Sequence, residues 1–150
     1  VMVVERQAFA DKRGFEQAII RRIKKDRIGL IVLAGFMRIL SPGFVRAFRN
    51  RIINIHPAIL PAFKGSHGIN DAFDYGVKVT GVTVHFVDEH MDHGPIILQE
   101  AIPIRDEDTL ESLEERIHKI EHKLYPEAIR LFVLGRLKIK GRKVFISSGR

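Results

Sequence analysis

Arg51-Ile52-Ile53-Asn54-Ile55-His56-Pro57 reads as a short apolar strand that ends on two polar side chains and is stopped by proline. On a strand, residues i and i+2 point the same way. Asn54 and His56 therefore share one face, and Ile53 and Ile55 anchor the other. Upstream, Leu30-Ile31-Val32-Leu33-Ala34 is a continuous apolar run without alternation, the pattern of a parallel strand buried on both faces. Between the two runs, Ser41-Pro42 supplies an N-cap followed by proline at the first helical position, with Val45 and Phe48 turned inward. Strand, helix and strand in this order make a βαβ unit with a right-handed crossover, so the class is α/β. Ligands in such sheets sit beyond the carboxyl ends of the strands. Phe36–Leu40 and Asn54–Pro57 are both expected at that edge.

Toward the N-terminus, Phe15, Ala18, Ile19 and Ile23 recur at helical spacing, with Arg21, Arg22, Lys24 and Lys25 on the wet side. Val1–Val4 is a β-branched run that reads as the end of a strand. Toward the C-terminus, Pro57–Gly68 reads as an ordered loop. Val82, Val84 and Phe86 alternate with Thr83, His85 and Val87, a strand with two unlike faces. Asp88–Gly94 is a polar loop, and Ile96–Ile104 is a second alternating strand closed by Pro103. Asp108 with Glu111 reads as a capping box opening a long helix, along which Leu110, Leu113, Ile117, Ile120, Leu124, Ala128 and Leu131 step by three or four. Pro126 is expected to kink or divide that helix and Gly135 to end it. Leu137–Ile139 and Val144–Ile146 flank Lys140–Lys143 as a terminal hairpin.

A chain of 150 residues, 45% hydrophobic, fits one domain with a real core. Without Cys, disulfides, thiolate metal sites and Cys catalysis are excluded. No apolar run reaches membrane-spanning length, and the expected setting is the cytoplasm. The net charge of +7 favours anionic partners. The basic residues lie mostly in Arg21–Arg27 and Lys138–Lys143 without interleaved aromatics, so small anions fit better than nucleic acid.

An amide donor beside an imidazole can hold a developing oxyanion, and Asp92 can orient and charge that imidazole. Attack of a nucleophile on an acyl carbon makes such an oxyanion. Asn54 offers a neutral N–H and protonated His56 a charged one, a form that a neighbouring carboxylate favours. Asp92 can also help move the proton such a nucleophile must lose. The bland reading, a structural histidine before proline, competes with this for His56 alone. His85, Asp88, Glu89, His90, Asp92 and His93 include metal-ligand types, but no diagnostic ligand spacing appears and no metal is expected. His118 and His122 sit four apart on the long helix and read as a solvated face. No Gly-x-Gly-x-x-Gly and no Walker loop occurs.

Leu33-Ala34-Gly35-Phe36-Met37-Arg38-Ile39-Leu40, Asn54-Ile55-His56-Pro57, Gly81-Val82-Thr83-Val84-His85-Phe86-Val87 and Met91-Asp92-His93-Gly94-Pro95-Ile96-Ile97-Leu98-Gln99 occur in this order. Together they resemble the phosphoribosylglycinamide formyltransferases, or glycinamide ribonucleotide transformylases, of the folate-dependent formyltransferase superfamily. The resemblance runs from about Val4 to Ile146. It implies a Rossmann-like, mostly parallel sheet with flanking helices. It also implies direct transfer of a formyl group from 10-formyltetrahydrofolate to the amine of glycinamide ribonucleotide in de novo purine biosynthesis. Asn54, His56 and Asp92 match the catalytic residues. Met37, Arg38, Ile39, Leu40, Val87, Asp88 and Glu89 match the folate site, and Arg13 is a looser match for the residue that pairs with the folate glutamate tail, a role Lys12 could also fill. Ile55, Pro57 and Glu121 match the nucleotide site, and His85 a supporting position. The partners implied are small molecules, with no nucleic acid, no membrane and no metal, and the assembly is a monomer or homodimer.

The family pattern begins with a further strand and a glycine-rich phosphate loop that this sequence does not contain, so a catalytic domain truncated at its N-terminus is expected. Formyltetrahydrofolate deformylase, which delivers the formyl group to water, is the alternative enzyme. A non-catalytic folate- or anion-binding protein is the alternative outside catalysis.

Overall fold

The computed structural model describes residues 3–36 and 38–148; Val1, Met2 and Met37, which carry part of the N-terminal run and one folate-site expectation, lie outside the described residues. Val3 and Val4 are not in a strand, and a short 3-10 turn follows at Arg6–Ala8. The order is then α1 (Lys12–Lys25), β1 (Ile31–Leu33), α2 (Pro42–Ala47), β2 (Ile52–His56), α3 (Gly68–Tyr75), β3 (Val79–Phe86), β4 (Ile96–Pro103), α4 (Leu110–Val133), β5 (Leu137–Lys140) and β6 (Lys143–Ile146). Among the described residues the strands form one sheet in the order β1-β2-β3-β4-β6-β5.

The α/β class with flanking helices is as expected, but the sheet is mixed where a mostly parallel one was anticipated. Only β1/β2 and β4/β6 pair parallel among the described residues; β2/β3, β3/β4 and β5/β6 are antiparallel. The reason lies in the connections. The segment after β2 contains α3, absent from the sequence reading, and it returns to the edge it left, so β3 enters beside His56 and runs back along β2. β3 and β4 then form a hairpin with a bulge between Val84 and His85, next to the polar loop.

Two apolar layers cover this sheet. On one side α4 lays Leu113, Ile117, Ile120, Leu124 and Ala128 against Ile53, Val82, Val84 and Phe86. Each fully buried aliphatic side chain of this kind contributes about 1.5–3 kcal/mol. Smaller and on the other side, the second layer joins Ile20 of α1, Phe44 of α2 and Phe48 just beyond it to Ile52. The alternation in β2 feeds both: Ile53 to the first, Ile52 to the second.

Local chemistry explains most boundaries. Ser41 caps α2 by accepting from Phe44 N at 3.2 Å, with Pro42 at the first position. Glu16, 5% exposed on α1, adds a second cap by accepting from Ser41 N at 3.0 Å. The capping box of α4 is Thr109 with Ser112, one residue later than the expected Asp108 with Glu111; Asp108 instead accepts from Arg105 N at 2.8 Å and pairs with Arg116. Nor does Pro126 divide α4, which runs unbroken to Val133. The carbonyl its missing N–H leaves free is that of His122, and both residues are exposed, so that carbonyl is not sealed in the core. Gly135 follows with φ +65, as a helix terminator should.

One strand expectation needs correction. β1 ends the described sheet, and Val32 is 41% exposed, so this run is not covered on both faces. The two unlike faces of β3 are both buried: Thr83 and His85 on one are as hidden as Val82 and Val84 on the other. Thr83 tolerates this because its hydroxyl donates to Ala58 O at 2.7 Å and accepts from Leu60 N at 3.1 Å and Gln99 Nε2 at 2.9 Å.

Candidate active site

The parallel pair β1/β2 ends at Leu33 and His56, and a cavity of about 700 Å³ opens there. Its walls come from the chain after β1, the end of β2, the β3–β4 connection and the middle of α4. That connection leaves the sheet at the far end of β2, where Val87 N donates to Ile52 O at 2.9 Å. It then doubles back until Asp92 stands over His56 at the near end.

His56 is 3% exposed, and its Nε2 lies 2.7 Å from Phe63 O. A carbonyl only accepts, so Nε2 carries the hydrogen. Nδ1 then faces Asp92 Oδ2 at 3.6 Å, beyond direct hydrogen bonding and within ion-pair distance. The same Oδ2 accepts from Gly65 N at 2.8 Å. Asp92 and Phe63 hold φ of +47 and +49, a left-handed conformation that non-glycine residues rarely adopt. Strain of this kind, set on both sides of one imidazole, indicates that the loops are held in place for the sake of the groups they present.

Asn54 pairs directly with His85 across the β2/β3 ladder and lines the cavity. His85 donates from Nδ1 to Phe86 O at 2.8 Å. Its Nε2 is buried without a hydrogen-bond partner, 3.8 Å from Asp92 Oδ1. Burial pushes the His85 imidazole below its ordinary value, outweighing the Phe86 carbonyl and the Asp92 charge. Opposite, Glu121 projects from α4 into the cavity, and burial raises its carboxyl above the usual range despite His118, His122 and His56 nearby.

Of the residues expected at the site, the fold brings Asn54, Ile55, His56, Pro57, His85, Val87, Asp88, Glu89, Asp92 and Glu121 to one cavity with Arg38, Ile39 and Leu40. Arg13 is not on its walls; the basic residue that reaches this region is Lys12, which donates to Ile39 O. Met37 lies outside the described residues. Arg46 of α2 pairs with Glu89 at 3.0 Å, tying the β3–β4 connection to that helix. Residues the sequence reading did not place here include Gly65, Ser66 and Tyr125.

The arrangement puts a neutral amide, an imidazole and a carboxylate around one open volume. That set can polarise a carbonyl, hold the resulting oxyanion and accept a proton.

Residues 1–129 match the family described as formyl transferase. The chain is 52% identical over 126 residues to the phosphoribosylglycinamide formyltransferase of Bacillus subtilis (strain 168), covering 84% of this chain and 65% of that one. It superposes with a TM-score of 0.90 on glycinamide ribonucleotide transformylase 1 from Symbiobacterium toebii, at 47% identity over 96% of this chain and 68% of that one. A formyltetrahydrofolate deformylase from Pseudomonas syringae pv. tomato matches with a TM-score of 0.85 at 29% identity, covering 92% of this chain and 46% of that one. The chain thus spans just under two thirds of the length of the Bacillus subtilis relative.

Proposed function

This chain belongs to the formyl transferase family, and on that premise we propose that it transfers a formyl group from 10-formyltetrahydrofolate to the amine of glycinamide ribonucleotide, a step of de novo purine biosynthesis. The observation that carries the reading is the approach of Asp92 Oδ2 to within 3.6 Å of His56 Nδ1, beside Asn54, in a cavity of about 700 Å³.

In this reading the amine attacks the formyl carbon and the carbonyl oxygen becomes an oxyanion. Protonated His56 already donates Nε2–H to Phe63 O, which leaves Nδ1–H for the oxyanion. Asn54 supplies the second donor. The gap to Asp92 is too long for a direct bond, so Asp92 stabilises the imidazolium through charge and takes the amine proton, directly or through one water. That proton goes to the departing folate nitrogen as the intermediate collapses, and no bond to the enzyme forms.

The backbone at Arg38–Leu40 holds the flat pterin, with Val87 and Asp88–Asp92 as the facing wall. Met37, by its place in the sequence motif alone, is assigned to folate binding. Lys12 or Arg13 meets the acidic tail. Ile55 and Pro57 border the nucleotide, and Glu121 accepts from its ribose hydroxyls. The chain acts in the cytoplasm on small molecules, without nucleic acid, as a monomer or homodimer.

A formyl-transfer assay tests this. Folate turnover that requires glycinamide ribonucleotide supports the transferase. Formate release at the same rate without the nucleotide would assign the deformylase reaction instead, and binding of folate with neither product would leave a binding protein.

A further inference from the structure

The β3–β4 connection carries a second cluster that the oxyanion chemistry does not use. Asp88, His90 and His93 each offer a ligand atom, and these atoms lie within 4.8 Å of one another. Asp88 Oδ2 stands 2.6 Å from His93 Nδ1, and Asp88 Oδ1 stands 3.9 Å from His90 Nδ1. The two imidazoles meet edge to face with centroids 5.1 Å apart. His90 is exposed and the other two are partly so, which gives an ion a path from solvent. Spacing alone does not announce this group; the tight turn assembles it.

We propose that Asp88, His90 and His93 form a binding site for a divalent transition-metal ion, with Zn²⁺ as the occupant that fits best. Two imidazoles and one carboxylate suit Zn²⁺ and its neighbours, whereas Mg²⁺ and Ca²⁺ prefer oxygen donors alone. Tetrahedral ligands at Zn²⁺ bond lengths stand about 3.4 Å apart, so the His90 ring has only a short swing to make. The ion replaces the hydrogen that His93 Nδ1 directs at Asp88, and the ring can carry that hydrogen on Nε2 instead. Water completes the coordination.

One group opposes the ion. Arg142, in the turn between β5 and β6, donates to His93 O, and its Nη1 lies 3.2 Å from His93 Nε2. The guanidinium must turn outward for the site to fill, so its removal should strengthen binding. Because Asp92 lies within the same turn, a bound ion fixes the segment that presents it to His56. The site itself does not depend on the formyl-transfer reading.

The test uses the whole chain, stripped with a chelator, titrated with Zn²⁺ against a chromogenic competitor and separately with Co²⁺ for its ligand-field absorption. One ion per chain is expected. The double variant His90→Ala/His93→Ala should weaken binding by at least roughly tenfold, and Arg142→Gln should tighten it. His118 and His122, four apart on α4, are the obvious competitor, and His118→Ala/His122→Ala should leave binding in place. Amide exchange across residues 88–93 should slow with Zn²⁺ in the parent chain and not in the His90/His93 variant. Binding that survives that variant, or that disappears with His118 and His122, overturns the assignment, as does exchange indifferent to Zn²⁺.

Discussion

The hydroxyl of Tyr125 lies 3.0 Å from the carbonyl oxygen of Ile53, the residue immediately before Asn54, and it also reaches the carbonyl of Leu33. A single side chain on α4 therefore braces both parallel strands where they open into the cavity. Burial pushes the phenol well above its ordinary value, so it remains a donor throughout the working range. Tyr125→Phe keeps the ring and removes the bond. We expect a loss of about 1–3 kcal/mol in urea unfolding, with a lower formyl-transfer rate from loosened placement of Asn54. An unchanged midpoint would show that the brace contributes nothing.

Asp92→Asn separates charge from shape. Asparagine can still accept from Gly65 N and tolerates a positive φ. The imidazole, however, loses its counter-charge and the amine its proton acceptor. Turnover should fall by about 10²–10⁴-fold with the circular dichroism spectrum and melting temperature nearly unchanged. His56→Asn should lose at least as much. A rate within twofold of the parent for Asp92→Asn would remove this carboxylate from the chemistry.

How much of this could be read in advance depends on where the determinants lie. The stripe from Leu113 to Leu131 names α4 unaided, because three-and-four spacing has one structural solution. Asn54 and His56 were legible as a pair for the same reason, through the two-residue period of a strand. What was hidden depends on partners distant in sequence. Thr83 and His85 alternate with apolar residues, and it is the loop backbone at Ala58 and Leu60 and the side chain of Gln99 that make burial of Thr83 tolerable. The antiparallel entry of β3 hung on the short α3, whose apolar positions Ile69, Ala72 and Phe73 are too few to announce a helix. The grip of Phe63 O and Gly65 N on His56 and Asp92 comes from loop backbone, which no side-chain pattern encodes.

Stability should depend on pH through His85. Its folded value lies below the ordinary 6.5 because burial opposes the charged form. The unfolded chain therefore binds the proton more readily, and stability is intact above about pH 6.5 and declines as pH falls below it. Glu121 has the opposite displacement: raised from 4.5 by burial, it favours the fold below that value and loses this contribution as pH rises. In a Glu121→Gln background, urea midpoints should drop from about pH 7 to about pH 5.5, and adding His85→Gln should flatten that slope. Equal slopes with and without His85 would assign the acid sensitivity elsewhere.

Gly94 tests whether the β3–β4 connection positions Asp92. A Cβ there would stand 1.7 Å from Phe86 O and 2.7 Å from Phe86 C, and both are backbone atoms of a buried strand end that cannot step aside. The neighbouring Pro95 carbonyl accepts from Phe86 N at 2.9 Å, so the two chains are locked together at this point. Gly94→Ala must push the connection outward, and Asp92 moves with it. We expect a cost of about 3 kcal/mol or more and a loss of turnover even at temperatures where the variant is fully folded. Gly135→Ala is the control: its φ of +65 penalises a side chain by about 1 kcal/mol, yet nothing lies within 4 Å of the added carbon and the cavity is untouched. If both variants lose stability but keep the parent's turnover when folded, the connection is a structural clasp and the placement of Asp92 does not depend on it.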